Sequence, residues 1–378
     1  MKKIILITMI LFGFFGIANE PSVDDILNKV QQLMLQKPQE AFKMAQETYQ
    51  KKDLDHKQKL QSLFLMTNAS NILQKPLDVL KYGNQALKMA TEEEDLVTKI
   101  KILSIIGNTY QSLQLNEKAR AFLNQAELFL SSPKIPDSLN LLKGNIFYLK
   151  GMNYFYSLDS GIAMSYFNKA VNQYLQSKNP LAEINLKLAY LNKGFAQLQQ
   201  KQIKQAEESF KLASINKRET PGTYPPQFVE LHDVFIELGK AKILSLENKP
   251  ELSNNILFEI MNKRKGQPAR DDLENDIYEL LSKNYLQQQD ISKHDHYESL
   301  YKKRVSESNR AAAVLTNQLI LQEEENNKIE MQLIDKKYWS LIFVTSAFFL
   351  IIIAISFIKT IKKEKMKRIL KHEVTKNL

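Results

Sequence analysis

Cysteine is absent from the 378 residues. That excludes a disulfide framework, a thiolate zinc site, a cysteine nucleophile and a lipidated cysteine anchor. Glycine and proline are scarce, at 11 each. Barrels and sandwiches need turn residues every ~8–12 positions, so this scarcity excludes them and favours long helices. The body of the chain also lacks net charge. The formal total is +10, but residues 359–378 carry eight Lys/Arg against two Glu, and Lys2 and Lys3 add two more, which leaves +2 for residues 19–358. Nucleic-acid binding is driven by neutralising phosphates and calls for a basic face on the folded body. A near-neutral body does not offer one.

Chemistry-bearing motifs are missing as well. There is no Gly-rich phosphate loop, nucleophile elbow or zincin helix. Of five histidines only His294 and His296 lie close in sequence, and a metal site needs three or four ligands. The acidic runs Glu92–Asp95 and Glu323–Glu325 read as solvated helix faces, since catalytic carboxylates need a pocket to perturb them. The expectation is a chain without enzyme activity, cofactor or metal.

Two apolar segments are present. Met1-Lys2-Lys3 precedes an apolar stretch from Ile4 to Ile17, with Gly16 and Ala18 at the −3 and −1 positions before Asn19. This is the pattern of a secretory signal peptide over 1–18; the other reading is an uncleaved anchor, for which the stretch is short. Tyr338 to Ile358 is a charge-free run long enough to span a bilayer, with Tyr338 and Trp339 at one edge and the Lys-rich 359–378 tail at the other. By the positive-inside rule the tail is cytoplasmic. The expected topology is a single-pass protein of a bacterial inner membrane, with its body in the periplasm.

Internal repetition organises the body. Leu103, Gly107 and Tyr110 lead to Ala119, Leu123 and Ala126. Phe147, Gly151 and Tyr154 lead to Ala163, Phe167 and Ala170, and Tyr190, Gly194 and Gln197 lead to Ala206, Phe210 and Ala213. Each copy steps twelve, four and three residues from the glycine, and the copies are offset by 44 and 43. Looser copies include Leu63, Val79 and Ala86, the pair Ala41 and Ala45, and a segment around Phe235, Leu238 and Gly239, while Tyr278–Tyr285 opens a last one. Small residues suit the points where two helices cross closely, and aromatics fill the space beside them. Ser131–Asp137, Thr220–Pro226 and Gly266–Pro268 supply inter-repeat loops.

These positions resemble the tetratricopeptide repeat (TPR) family over roughly residues 22–304. The resemblance implies an all-α solenoid of helical hairpins over 22–297. It departs in period, which runs longer than the family's 34 residues, so either the helices or the loops are extended. A repeat array exposes a long concave surface, and the family binds extended peptides or proteins there. Its groove positions on the first helix of each hairpin, carried onto the three clear copies, are Ser104, Asn108 and Gln111; Tyr148, Met152 and Phe155; and Leu191, Phe195 and Leu198.

Residues 298–337 contain no Gly or Pro, and Val305, Ala312, Leu319 and Leu333 recur seven or fourteen apart beside a row of Tyr301, Leu315 and Ile329. This suits a coiled-coil stalk in a homodimer, with Asn326 as a register-setting polar position, or one amphipathic helix folded back on the last repeat. The tail ends in His372-Glu373-Val374 with Leu378 six residues after the histidine. It resembles the phospho-acceptor box of sensor histidine kinases, with Asn377 where a proline is usual, and no ATP-binding domain follows within these residues. The layout of repeats, long helix, 338–358 span and 359–378 tail is similar to the periplasmic sensor half of bacterial TPR-containing membrane regulators. Two functions are expected: a scaffold holding a protein partner, or the sensory part of a transmembrane signalling protein. The alternative is a partial sensor histidine kinase or transcriptional regulator whose output domain is absent here.

Overall fold

The computed structural model describes residues 21–376 apart from 134, 137, 216–225 and 268–270. The expected signal peptide lies outside the described residues. Among those described there are fourteen helices and no strand. They form two compact units, Met1–Ala313 and Val314–Leu378.

The first unit is a row of seven helical hairpins. Their first helices are α1 (Val23–Leu33), α3 (His56–Ile72), α5 (Leu96–Ser112), α7 (Asn140–Tyr156), α9 (Leu181–Gln199), α11 (Pro226–Leu246) and α13 (Asp271–Gln287). Their second helices are α2 (Pro38–Tyr49), α4 (Pro76–Glu92), α6 (Asn116–Leu130), α8 (Ser160–Gln176), α10 (Ile203–Ala213), α12 (Pro250–Lys263) and the start of α14 (Ile291–Lys376). Local chemistry sets many starts. Ser22 with Asp25, and Asp55 with Gln58, form capping boxes, and Asp95 and Asp159 cap α5 and α8. Pro38, Pro76 and Pro250 stand in first turns, where the missing N–H costs nothing.

With so little glycine, the hairpin turns use other residues. Gln74, Gln114, Leu158, Lys201, Asn248 and Gln289 all have φ between 54° and 62°. In each, the next residue's N–H reaches five residues back, as Leu115 to Tyr110 and Asp159 to Tyr154, both at 2.9 Å. This is the Schellman closure that normally recruits glycine. Spacing from these turns gives the whole repeat frame. The residue seven before each turn is the crossing point on the first helix: Thr67, Gly107, Gly151, Gly194, Ala241 and Ser282. The sixth hairpin therefore crosses at Ala241, two residues beyond the Gly239 on which the sequence pattern is centred. Several first helices run to 17 residues or more, which accounts for the long period.

Packing at the crossings is tight in the central three hairpins. A Cβ on Gly107 would lie 2.9 Å from Leu123, one on Gly151 would lie 2.6 Å from Phe167, and one on Gly194 would lie 2.7 Å from Phe210. Ala119, Ala163 and Ala206 opposite are fully buried. In the second hairpin the small residue has changed sides: Thr67 is on the first helix and Gly83 on the second, 3.3 Å apart by the same measure.

Each first helix touches the first helix of the next hairpin, from α1 to α13, whereas the second helices make no comparable contact with one another among the described residues. The closely spaced layer is the inner side of a curved row. The first helices therefore line the concave face.

In the second unit α14 continues as one helix through the apolar segment. Among the described residues it is one helix long and apolar enough to cross a membrane. Ile329, Leu333, Tyr338, Trp339, Leu341 and the large apolar residues from Phe343 through Phe357 are exposed.

Candidate functional site

The inner face carries two clefts. The first, of about 520 Å³, is built by α3, α5, α7 and α9, with Tyr174 of α8 at its base. Five asparagines line it: Asn68, Asn71, Asn108, Asn145 and Asn185, with Lys101 as the single charged group. All five are half-buried. Asn68, Asn71 and Asn108 make no side-chain hydrogen bond with any described residue.

Asn145 and Asn185 are held in place. The Tyr174 hydroxyl donates to Asn145 Oδ1 at 3.0 Å, and Asn185 Nδ2 donates to the same oxygen at 2.8 Å. Asn145 Nδ2 and Asn185 Oδ1 are left uncommitted. One is a donor and the other an acceptor, which is the complement of a peptide unit's C=O and N–H. Burial, and then the neighbouring Tyr148, push the Tyr174 hydroxyl well above the ordinary tyrosine range, so it keeps its proton as a donor. Tyr148 is raised in the same way by burial and by Tyr156, and its hydroxyl accepts from Asn192 Nδ2 at 3.0 Å.

The second cleft, of about 490 Å³, is built by α7, α9, α11 and α13. Phe155, Phe195, Leu198, Leu246, Leu280 and Leu286 supply apolar walls. Its four charged groups are matched: Lys242 meets Asp276 at 3.0 Å and Lys283 meets Glu279 at 2.5 Å. Lys242 also lies over the Phe195 ring, 5.3 Å from its centroid.

The residues carried over from the repeat resemblance divide between these clefts. Ser104, Asn108 and Tyr148 line the first, and Phe155, Phe195 and Leu198 line the second. Gln111, Met152 and Leu191 line neither. Met152 packs beside Ala163 and Phe167, and Leu191 is buried in the core of the later hairpins. Gln111 holds a buried Oε1 with no hydrogen-bond partner. Asn68, Asn71, Asn145 and Asn185 are not among the residues the sequence suggested. Asn68 shares with Asn108 the position just after the crossing residue, a signal the repeat frame carries, whereas Asn145 and Asn185 hold no common position in that frame.

His294, Asp295 and Glu298 bring three metal-capable atoms within 4.8 Å of one another. The repeat frame explains the histidine otherwise. It stands opposite Ser282 at the seventh crossing, twelve residues on, and the Ser282 hydroxyl lies 2.9 Å from its Nδ1. Glu298 pairs with Lys302 at 3.0 Å. These contacts make His294 part of the hairpin's packing and give Glu298 a lysine partner on its own helix.

The fold defined by these hairpins is a TPR-like array. No family model matches the sequence, and no curated protein matches it. Solved structures do. NprR in complex with its cognate peptide NprX is 10% identical, with a TM-score of 0.58 over 78% of this chain and 84% of that one. The apo form of RapI is 14% identical, with a TM-score of 0.54 over 75% of this chain and 97% of that one. The apo form of the quorum sensor NprR from B. thuringiensis is 14% identical, with a TM-score of 0.52 over 76% of this chain and 89% of that one.

Proposed function

We propose that this chain is a membrane-anchored binding module that holds an extended peptide segment of a partner protein on its concave face. The observation that carries this is the set of uncommitted asparagine amides along the inner helices. An extended chain presents N–H and C=O groups that need partners when they leave water. Carboxamides satisfy both kinds without imposing a charge, so they grip backbone and tolerate many side chains. A neighbour of similar fold, NprR, is found with a cognate peptide, which is the kind of ligand proposed. No catalytic role is assigned to the clefts.

In this reading the 338–358 segment of α14 is the anchor, with the repeats in the periplasm and the 359–378 tail in the cytoplasm of a bacterial inner-membrane protein. The charge asymmetry around the apolar run supports this orientation. An alkaline phosphatase fusion ahead of Trp339 is expected to be active, and inactivity there would reverse the topology. For the binding itself, Asn145→Ala with Asn185→Ala is expected to remove partners recovered with the wild-type chain while leaving its helical circular dichroism unchanged. Unchanged recovery would contradict the groove assignment.

A second reading, the sensory part of a transmembrane signalling protein, draws on α13. It contributes Asp276, Glu279 and Lys283 to the second cleft. It also packs against α14, through Ser282 with His294 and through Glu274 with Arg304. A ligand in the cleft would then act on the helix that continues to the membrane segment, provided its affinity differs between two packings of that helix.

A further inference from the structure

We infer that the second cleft is an anchor pocket for apolar side chains of the same extended ligand, set four or five residues from the backbone stretch gripped by Asn145 and Asn185. This rests on the peptide reading above and specifies the ligand further. The two clefts share α7 and α9. Asn145 and Phe155 are ten residues apart on α7, and Asn185 and Phe195 are ten apart on α9. Ten helical residues rise about 15 Å, which an extended chain covers in four or five residues at ~3.3 Å each. The amide pair and the aromatic walls thus sit at matching heights on two adjacent helices, so one short segment laid along them meets both.

The chemistry of the second cleft selects what enters. Each of its lysines is matched by a carboxylate, Lys242 by Asp276 and Lys283 by Glu279. A charged ligand group would have to break a pair and leave its partner uncompensated, whereas an apolar group leaves both intact and removes aliphatic and aromatic wall from water. The volume of about 490 Å³ lies within the ~300–1,000 Å³ range of preformed ligand pockets. The first cleft differs: Asn145 Nδ2 and Asn185 Oδ1 are left without internal partners and call for polar backbone. The division of labour is backbone grip in one cleft and side-chain selection in the other.

The test uses the full chain in detergent micelles and a random library of synthetic nonapeptides. Bound peptides are identified by mass spectrometry, and each is then scanned with single backbone N-methyl groups. Selected peptides are expected to carry a large apolar residue four or five positions from the N-methyl-sensitive bond. Leu286→Asp changes a half-exposed residue at the cleft wall (51% exposed). It is expected to weaken those peptides at least tenfold while leaving the N-methyl pattern in place. Selected peptides without that spacing, or an effect of Leu286→Asp below twofold, would overturn the anchor pocket and leave the backbone grip standing. Selection no better than with the Asn145→Ala, Asn185→Ala chain would overturn the peptide reading, and the anchor with it.

Discussion

The central hairpins and the last two solve the same crossing problem with different chemistry. In the third to fifth hairpins, glycine faces a leucine or phenylalanine, and alanine sits opposite. In the sixth and seventh, polar groups enter these crossings. Ser253 stands at the alanine position and donates to the Ala241 carbonyl at 2.8 Å. Asn284 bridges the two hairpins, donating to Ser253 Oγ and Asn254 Oδ1 at 2.8 Å each and accepting from the Ser245 hydroxyl at 2.5 Å. Dispersion and shape hold the first group, and satisfied buried hydrogen bonds hold the second. Buried polar networks are costly when any member is lost, so the two regions should fail in different ways.

The largest expected effect is Phe210→Ala. The ring lies against both Gly194 and Gly239, so its removal empties the joint between two hairpins. Such truncations cost about 3–5 kcal/mol, and denaturant unfolding would measure it; a loss below about 1 kcal/mol would show that the joint collapses to fill the space. Gly151→Ala adds rather than removes atoms, and its Cβ meets Phe167 at 2.6 Å. Overpacking of this kind costs about 1–3 kcal/mol. In the polar region, Asn284→Ala leaves Ser245 and Asn254 short of partners, at about 1–3 kcal/mol. If Asn284→Ala is neutral while Gly151→Ala is not, the proposed contrast in failure is wrong.

Between the two regions His232 is buried, its Nε2 2.9 Å from the Ala213 carbonyl and its Nδ1 without a partner. Burial lowers its pKa, opposed by the Ala213 hydrogen bond and Asp233. A histidine with a depressed folded pKa contributes stability above its unfolded pKa of about 6.5 and loses it as the pH falls. The melting temperature should therefore drop between pH 7 and 5 by more in the wild type than in His232→Gln. Parallel profiles would remove the histidine from the account. The smallest effect belongs to the turns. Leu158 is 81% exposed in a left-handed conformation, which costs a branched side chain ~1–2 kcal/mol. After the entropy cost of glycine, Leu158→Gly should stabilise by a few tenths to about 1 kcal/mol.

The same contrast explains what could be read from the residues. Gly107, Gly151 and Gly194 are conspicuous in a glycine-poor chain, so the central copies emerge from spacing, and their resemblance to the TPR pattern implies the helical-hairpin class. Thr67, Ala241 and Ser282 hold the same structural position but carry no compositional mark, and only the left-handed turns seven residues later reveal the frame. Half of the site was legible for a related reason. Positions beside the glycines, such as Asn108, Tyr148 and Phe195, follow from the repeat. Asn145 and Asn185 lie six and nine residues before their glycines. Their importance depends on Tyr174 reaching across from α8 to orient them, and sequence periodicity does not encode such a contact between helices.

Photo-crosslinking in living cells addresses the central claim most directly. A benzophenone side chain at Asn108, on the concave face, is compared with one at Leu175, which is 62% exposed on α8. The account predicts discrete polypeptide adducts from position 108, lost when Asn145 and Asn185 are both alanine, and none from position 175. Adducts that are identical at the two positions, or confined to 175, would contradict it.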